Sequence, residues 1–368
     1  MSNVYLVSAR ARNIRDNLLA KIERIMQVPE IAALVPTGRK ATFIKTSYSR
    51  VGYNRHLRPI VLRTIVEKIK EFGGTPVVTD TSAFFPKGHF AGDQWFTSAE
   101  LMGYSEIALG CERILANGYE GDDGEFISTG GTELGGVEVA RAIREAECLL
   151  VVSHIAGHPF AGFTGALYNL GVECLNNSGK SRVYEGIRPV WLAERCELCG
   201  TCVQYCQWQA LQISSGRLHV DRQRCAGCGN CVVICANRAH QPVPEQVVSF
   251  QRKVAEASSA IVRTLKKKAV YINILYDIVP QPDKISWADI PFVPDIGIVA
   301  STDPVAVDAA THDLITKSPG IPKSAAEDFG VLEPGREKIT SITGANPAVL
   351  YCHAGRLGVG FTRYQLFK

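Results

Sequence analysis

The sequence predicts an α/β fold: a mainly parallel sheet with flanking helices, into which a small cysteine-rich α+β module is inserted. Two observations carry this. Outside residues 189–241, short β-branched apolar runs alternate with segments of helical periodicity, the pattern of βα units that builds a parallel sheet. Inside that stretch, eight of the chain's twelve cysteines fall between Cys196 and Cys235. The chain therefore divides into a first part of the α/β body over 1–188, the insert over 189–241, and a second part of the body over 242–368.

The elements follow in order. Ala41–Thr46 (ATFIKT) reads as a strand. Leu57, Val61, Ile65, Ile69 and Phe72 recur at helical spacing, and the run stops at Gly73-Gly74, a helix C-cap signal. Thr75–Asp80 reads as a second strand. A helix is expected around Val137–Glu145, a strand over Glu147–His154 and a helix around Phe163–Gly171. After the insert, Glu245–Lys267 reads as a long helix, whose terminal lysines complement the helix dipole. Ala269–Asp277 and Phe292–Ser301 read as strands. Another helix starts at Pro304, with Asp303 as its cap.

The formal charge of +4 is small for 368 residues and implies neither nucleic acid nor membrane as a partner. No run approaches the ~18 apolar residues of a spanning helix. The first residues lack the charged start and apolar stretch of a secretory signal, so a cytoplasmic protein is expected. In a reducing compartment, closely spaced cysteines indicate metal binding or catalysis rather than disulfides.

Cys196, Cys199 and Cys202 are spaced C-x2-C-x2-C, with Cys206 following after three residues; Cys225, Cys228, Cys231 and Cys235 repeat the pattern. Three thiolates so spaced can wrap one face of an iron–sulfur cubane, while the fourth reaches the other cluster. The expectation is two 4Fe-4S clusters, one on Cys196, Cys199, Cys202 and Cys235, the other on Cys225, Cys228, Cys231 and Cys206. Gly200, Gly227 and Gly229 let backbone amides approach the sulfur atoms. Ala210–Asp221 reads as two short strands about a Ser-Gly turn, the hairpin of a two-cluster ferredoxin-like unit. The proline usual after the fourth cysteine is Gln207 in one run and Ala236 in the other. Zinc knuckles would need a longer gap between ligand pairs. Two adjacent clusters imply electron relay, with an electron donor such as a ferredoxin or flavodoxin as partner.

Ser153–Gly171 (SHIAGHPFAGFTGALYNLG), Asn176–Lys180 (NNSGK), Val293–Ile315 and the IKTSYSR strand end resemble the domain-of-unknown-function family 362. The likeness is to its subgroup with an inserted two-cluster ferredoxin module, and it covers nearly the whole chain. The resemblance implies an iron–sulfur protein and carries no particular reaction. Four places depart from the subgroup's pattern. A lysine is replaced by Ala156, another by Tyr168 and a histidine by Tyr184. A Cys-Asp-Cys stretch is replaced by residues within Gln281–Lys284.

In open α/β sheets, ligands bind beyond the carboxyl ends of the strands. Lys45, Thr46 and Tyr48 follow the first strand, Asp80, Thr81 and Ser82 the second, and His154 and His158 the third. Ser301 and Asp303 follow a later one. The candidate catalytic residues are therefore His154, His158, Lys45, Tyr48 and Asp80. Gly157, Gly162 and Gly165 are expected to present amides to a carboxylate or phosphate, with Ser301 and Asp303 beside them. Asp308 either fixes its loop or takes part in chemistry. No strand–GxGxxG–helix unit or P-loop occurs. These residues together suggest an iron–sulfur oxidoreductase acting on a small, anionic substrate or a bound cofactor, with His154, His158 or Tyr48 supplying protons. The alternative is an electron carrier that docks to a partner enzyme. A flavin, a further metal and a homodimer all remain open.

Overall fold

The computed structural model describes residues 1–38, 40–84, 92–266 and 268–368. Among these residues the strands are β1 (Ser2–Ser8), β2 (Ala41–Lys45), β3 (Thr75–Asp80), β4 (Glu112–Leu115), β5 (Gly124–Ser128), β6 (Gly136–Ala140), β7 (Cys148–His154), β8 (Gly157–His158), β9 (Gly162–Phe163), β10 (Val190–Trp191), β11 (Leu211–Ser214), β12 (Arg217–Val220), β13 (His240–Gln241), β14 (Ala269–Leu275), β15 (Gly297–Ser301) and β16 (Tyr364–Phe367). Eight form one sheet in the order β16-β1-β15-β14-β7-β2-β3-β4. β4, β3, β2, β7 and β14 run parallel, as do β1 and β16, while β15 is antiparallel to both its neighbours.

Side-chain alternation on β7 explains the layers. Leu149 and Val151 pack into one core with the helices Pro244–Thr264 and Pro304–Lys317. Cys148, Leu150 and Val152 face a second core with Leu18–Met26 and Pro59–Glu71. A strand buried on both faces reads as the continuous apolar run seen in its sequence.

Residues 189–241 contribute no strand to this sheet. They form two small antiparallel sheets, β10 with β13 and β11 with β12, and two short helices, Thr201–Gln204 and Asn230–Ile234. The hairpin expected over Ala210–Asp221 is the β11–β12 pair, with Ser214 opposite Arg217.

Two expectations need correction. The helix around Val137–Glu145 is the strand β6 followed by a single turn, Arg141–Arg144. Val137 and Val139 point inward two residues apart, and β6 pairs with β5, so a period of two wins over a helical reading. The strand expected over Phe292–Ser301 shortens to β15. The helix expected over Glu245–Lys267 is Pro244–Thr264; Lys267 lies outside the described residues.

One buried carboxylate ties the layers together. Asp308, inside the helix Pro304–Lys317, accepts from the backbone N–H of Ala166 (2.8 Å) and Leu167 (2.9 Å) and from Asn273 Nδ2 (2.8 Å). It thus caps the short helix Ala166–Gly171 from another element. Burial raises its pKa to about 6. Asp308→Ala would leave three buried donors unpaired, so denaturant unfolding should show a loss of about 3 kcal/mol or more. A loss below about 1 kcal/mol would contradict the capping role.

Candidate functional site

β2 and β3 end side by side, and their last residues meet in a buried ion pair: Lys45 Nζ lies 2.8 Å from Asp80 Oδ1, with both side chains fully buried. Lys45 also donates to the Thr46 carbonyl (2.7 Å) and to Asn169 Oδ1 (3.0 Å). Asp80 accepts in addition from the backbone N–H of Tyr48 and Thr81 and from Lys284 Nζ at 3.0 Å. Burial alone would push the Asp80 carboxyl up; the Lys284 and Lys45 ammoniums outweigh it and hold its pKa below the usual range.

Above this pair lies a cavity of about 110 Å³, whose lining includes His154, His158, Lys180, Glu173, Asp283 and Lys284. Lys180 and Tyr184 are one turn apart on the helix Asn177–Tyr184 and therefore share a face. Lys180 Nζ donates to Thr81 Oγ1 (2.7 Å) and to the Ser82 carbonyl. Its burial lowers its pKa to about 8. Lys284 also lies 3.5 Å from Glu173 Oε2. Burial works against the Lys284 charge, but Asp80, Glu173 and Asp283 together raise its pKa. Tyr168 and Tyr184, at two of the positions singled out in the sequence, share a hydroxyl–hydroxyl hydrogen bond of 3.0 Å. Ala156, at a third such place, is buried in an apolar group with Tyr53, Val279 and Ile285, against which Val233 packs.

Both histidines line the cavity in neutral form. His158 Nδ1 accepts from the backbone N–H of Phe160 (3.2 Å) and Ala161 (3.1 Å), so the ring's proton sits on Nε2. His154 Nε2 lies 2.9 Å from the Tyr276 carbonyl and donates to it, leaving Nδ1 buried without a partner. Burial lowers their pKa values to about 3 and about 4.

Other predicted residues lie elsewhere. Lys45 and Asp80 sit beneath the cavity rather than in its wall. Tyr48 turns into the core between Trp95 and Tyr104, at ring distances of 4.6 and 4.9 Å, and only its backbone N–H serves the site. Ser301 and Asp303 are at the opposite end of the sheet, because β15 runs against its neighbours and Ser301 pairs with Tyr271 near the start of β14. Asp303 caps the helix that follows and also accepts from Ser2 Oγ and the Phe361 N–H. The glycines pack rather than present amides. A Cβ on Gly157 would meet the Pro280 carbonyl at 2.4 Å, one on Gly165 would meet Asp308 Oδ1 at 2.4 Å, and Gly162 (φ +88°) sits under Ala345 and Pro347. The helix amides after Gly165 are already taken by Asp308.

The two cysteine runs fold alike. Leu198 and Gly227 occupy equivalent places, as do Gly200 and Gly229 and then Gln209 and Arg238, and all six have positive φ. The N–H of Ala210 donates to Cys206 Sγ at 3.3 Å, and that of Ala239 to Cys235 Sγ at 3.2 Å. Burial raises the Cys202 thiol, and the nearby Cys235, Cys196 and Cys199 raise it further. Burial likewise raises Cys228 to about 11, with Cys206 and Cys225 adding to the effect. Cys202, Cys206, Cys225, Cys228 and Cys231 all line a cavity of about 410 Å³. Among the described residues, no three His, Cys, Asp or Glu side chains converge so as to hold a single metal ion.

Cys228, Gly229 and Asn230 line both this cavity and the one beyond the strand ends. Gly229 allows that approach, since a Cβ there would meet the Phe160 ring at 2.6 Å. The Arg50 guanidinium faces the Gln207 amide, whose oxygen accepts from Nη1 and Nη2 at 3.2 and 3.3 Å in the amide orientation that satisfies both groups, linking body and insert at the same place. Cys199, by contrast, is exposed. Of the cysteines outside the runs, Cys148 and Cys174 are buried and raised by that burial to about 12, which leaves their thiols protonated.

The profile of the family described as Domain of unknown function (DUF362) matches residues 42–313, a span holding the whole cavity lining and all eight clustered cysteines. The chain belongs to the DUF362 family. No curated protein matches it. Among solved structures, this DUF362 chain is similar to the lactate racemase apoprotein from Thermoanaerobacterium thermosaccharolyticum, with 13% identity and a TM-score of 0.42 over 87% of this chain and 59% of that one. It is also similar to a protein from Thermotoga maritima, with 10% identity and a TM-score of 0.38 over 76% of this chain and 55% of that one. The chain thus spans less than two thirds of either protein's length. Among its described residues, no helix is long and apolar enough to cross a membrane.

Two outcomes follow from the buried charges. Lys45→Met leaves Asp80 short of one ammonium, and urea unfolding should show a loss of about 3–5 kcal/mol; a neutral substitution would mean that the pair does not hold the strand ends. His158 is neutral in the fold, but the unfolded ring takes a proton near its ordinary value of 6.5. Its contribution is therefore fully present above pH 6.5 and is lost as pH falls toward 3. His158→Gln should flatten that acid limb in a pH series of thermal melts, and an unchanged limb would contradict a neutral, buried ring.

Proposed function

We propose that the protein is an iron–sulfur oxidoreductase that delivers single electrons to a small anionic molecule held in the strand-end cavity. The observation that carries this reading is the position of Cys228, shared between the cysteine-lined cavity and the polar cavity of the α/β body. The chemistry of the donor set fits the group. Eight cysteines stand in two equivalent loops, five of them (Cys202, Cys206, Cys225, Cys228 and Cys231) line one cavity, and N–H donors are aimed at Cys206 and Cys235. Cys196, Cys199, Cys202 and Cys235 would hold one 4Fe-4S cluster, and Cys225, Cys228, Cys231 and Cys206 the other. When bound, the pair would supply one-electron transfer between a reduced carrier, such as a ferredoxin or flavodoxin, and the cavity.

The chain's own residues account for the rest. The exposed position of Cys199 suits a carrier-facing side, and the contact of Cys228 with the cavity suits the delivering side. Lys180 and Lys284 favour an anionic group, since each brings an ammonium to the cavity wall. The rings of Tyr168, Tyr184 and Phe84 also line the cavity, Phe84 stacked on Tyr184, and such low-dielectric walls strengthen those charges. A carrier that only docked to a partner enzyme would have no use for a polar cavity against Cys228.

In anaerobic protein reduced to give two paramagnetic signals, small carboxylates or phosphates should shift one signal and leave the other unchanged. Lys180→Gln should weaken that response about tenfold or more, the loss of one charge-assisted contact. If neither signal responds to any anion, the cavity is not the acceptor site.

A further inference from the structure

A reduction in this cavity needs a proton as well as electrons, and the residues lining it differ sharply in their ability to give one. His158 cannot become an imidazolium without breaking the two backbone hydrogen bonds to its Nδ1. His154 spends its N–H on the Tyr276 carbonyl, and its other nitrogen has only a lone pair to offer. A neutral imidazole is a poor acid. The carboxylates differ as well. Asp80 has two ammoniums and two backbone N–H donors, and Glu173 faces Lys284. The Asp283 carboxyl is buried at 4% exposure, lines the cavity and has no ion pair within 4.0 Å among the described residues.

We propose that Asp283 is the proton donor of the cavity, in place of His154 and His158. This rests on the reading of the cavity as a site of reduction. The charges that act on Asp283 are those of Lys284, Glu173 and Asp80, and its carboxylate in turn acts on the hydroxyls of Tyr53, Tyr104 and Tyr168. Burial, opposed by Lys284 and reinforced by Glu173 and Asp80, raises its pKa to about 7. In the step itself, the carboxyl O–H bond breaks, its hydrogen bonds to the substrate atom being reduced, and the bonding pair stays on the carboxylate. The electrons come from an external reduced one-electron carrier, and solvent water returns the proton to Asp283. Lys284 stabilises the carboxylate in the interval.

The test is an infrared pH titration of the full chain without substrate, comparing wild type with Asp283→Asn. The difference between wild type and variant should show a protonated-carboxyl C=O band that disappears as pH rises through about 7, whereas the band of buried Asp308, raised to about 6, is common to both and cancels. A second readout is stability against pH. The folded Asp283 holds its proton after the unfolded chain has lost it near 3.8, so wild type should lose stability relative to the variant as pH rises from about 3.8 to about 7. A difference spectrum without that band overturns the proposal; should the variant not fold, the absence of any wild-type carboxyl band that titrates through about 7 still does so. Neither readout needs iron or a substrate, so failure of the acid is distinguishable from failure of the redox reading.

Discussion

The structure depends on one buried carboxylate. Asp80, at the end of β3, holds the end of β2 through Lys45, the loop after β14 through Lys284, and the turn beyond β2 through the Tyr48 amide. A charge so deeply buried is tolerated only because each lone pair of the carboxylate has a donor. Lys45 passes the constraint on to Asn169, whose amide donates to Ser153 on β7. The strand ends, the helix Ala166–Gly171 and the loop carrying Asp283 are therefore fixed relative to one another. The cavity is the space those constraints leave.

The second constraint is close approach between insert and body. Gly227 and Gly229 lie in the left-handed region and touch body atoms that a side chain would displace: the Ile187 carbonyl, the Tyr184 carbonyl and the Phe160 ring. Their counterparts, Leu198 and Gly200, have the same backbone conformation but no such contact demand; Gly200 has open space where a Cβ would be. The repeated loop is thus used twice, once against the body and once facing outward. That asymmetry gives the two cysteine sites different surroundings from nearly identical sequence. Arg50 and Gln207 join at the same seam, in the place where a proline would have offered no side-chain partner.

Much of this was legible in the sequence, and the misses have physical causes. β2, β3, β7 and β14 announce themselves as apolar, β-branched runs, and the polar residues after β2, β3 and β7 do gather at one end of the sheet. Strand direction is not encoded locally, however. Ser301 and Asp303 look like the residues after any other strand, and only the antiparallel pairing of β15 sends them to the far end. Tyr48 follows its strand as expected, but its ring packs between Trp95 and Tyr104, and its hydroxyl is buried there without a hydrogen-bond partner. Gly165 precedes a helix, yet the carboxylate that meets the helix amides is Asp308 of this same chain. Lys180 was within sight, in the NNSGK stretch whose Asn176 caps the helix. Glu173, Asp283 and Lys284 lie outside the regular elements, where no periodicity marks a residue as buried. Their signal exists only in three dimensions, as opposite charges enclosed together.

The central claim is that the cysteine loops make this protein a redox relay, and the most direct measurement is iron and acid-labile sulfide on anaerobically purified protein, followed by a reductive titration with EPR. The account predicts about eight irons and eight sulfides per chain and two interacting signals on reduction, as two four-iron clusters require. Zinc in their place, or iron that gives no reducible signal, would contradict it.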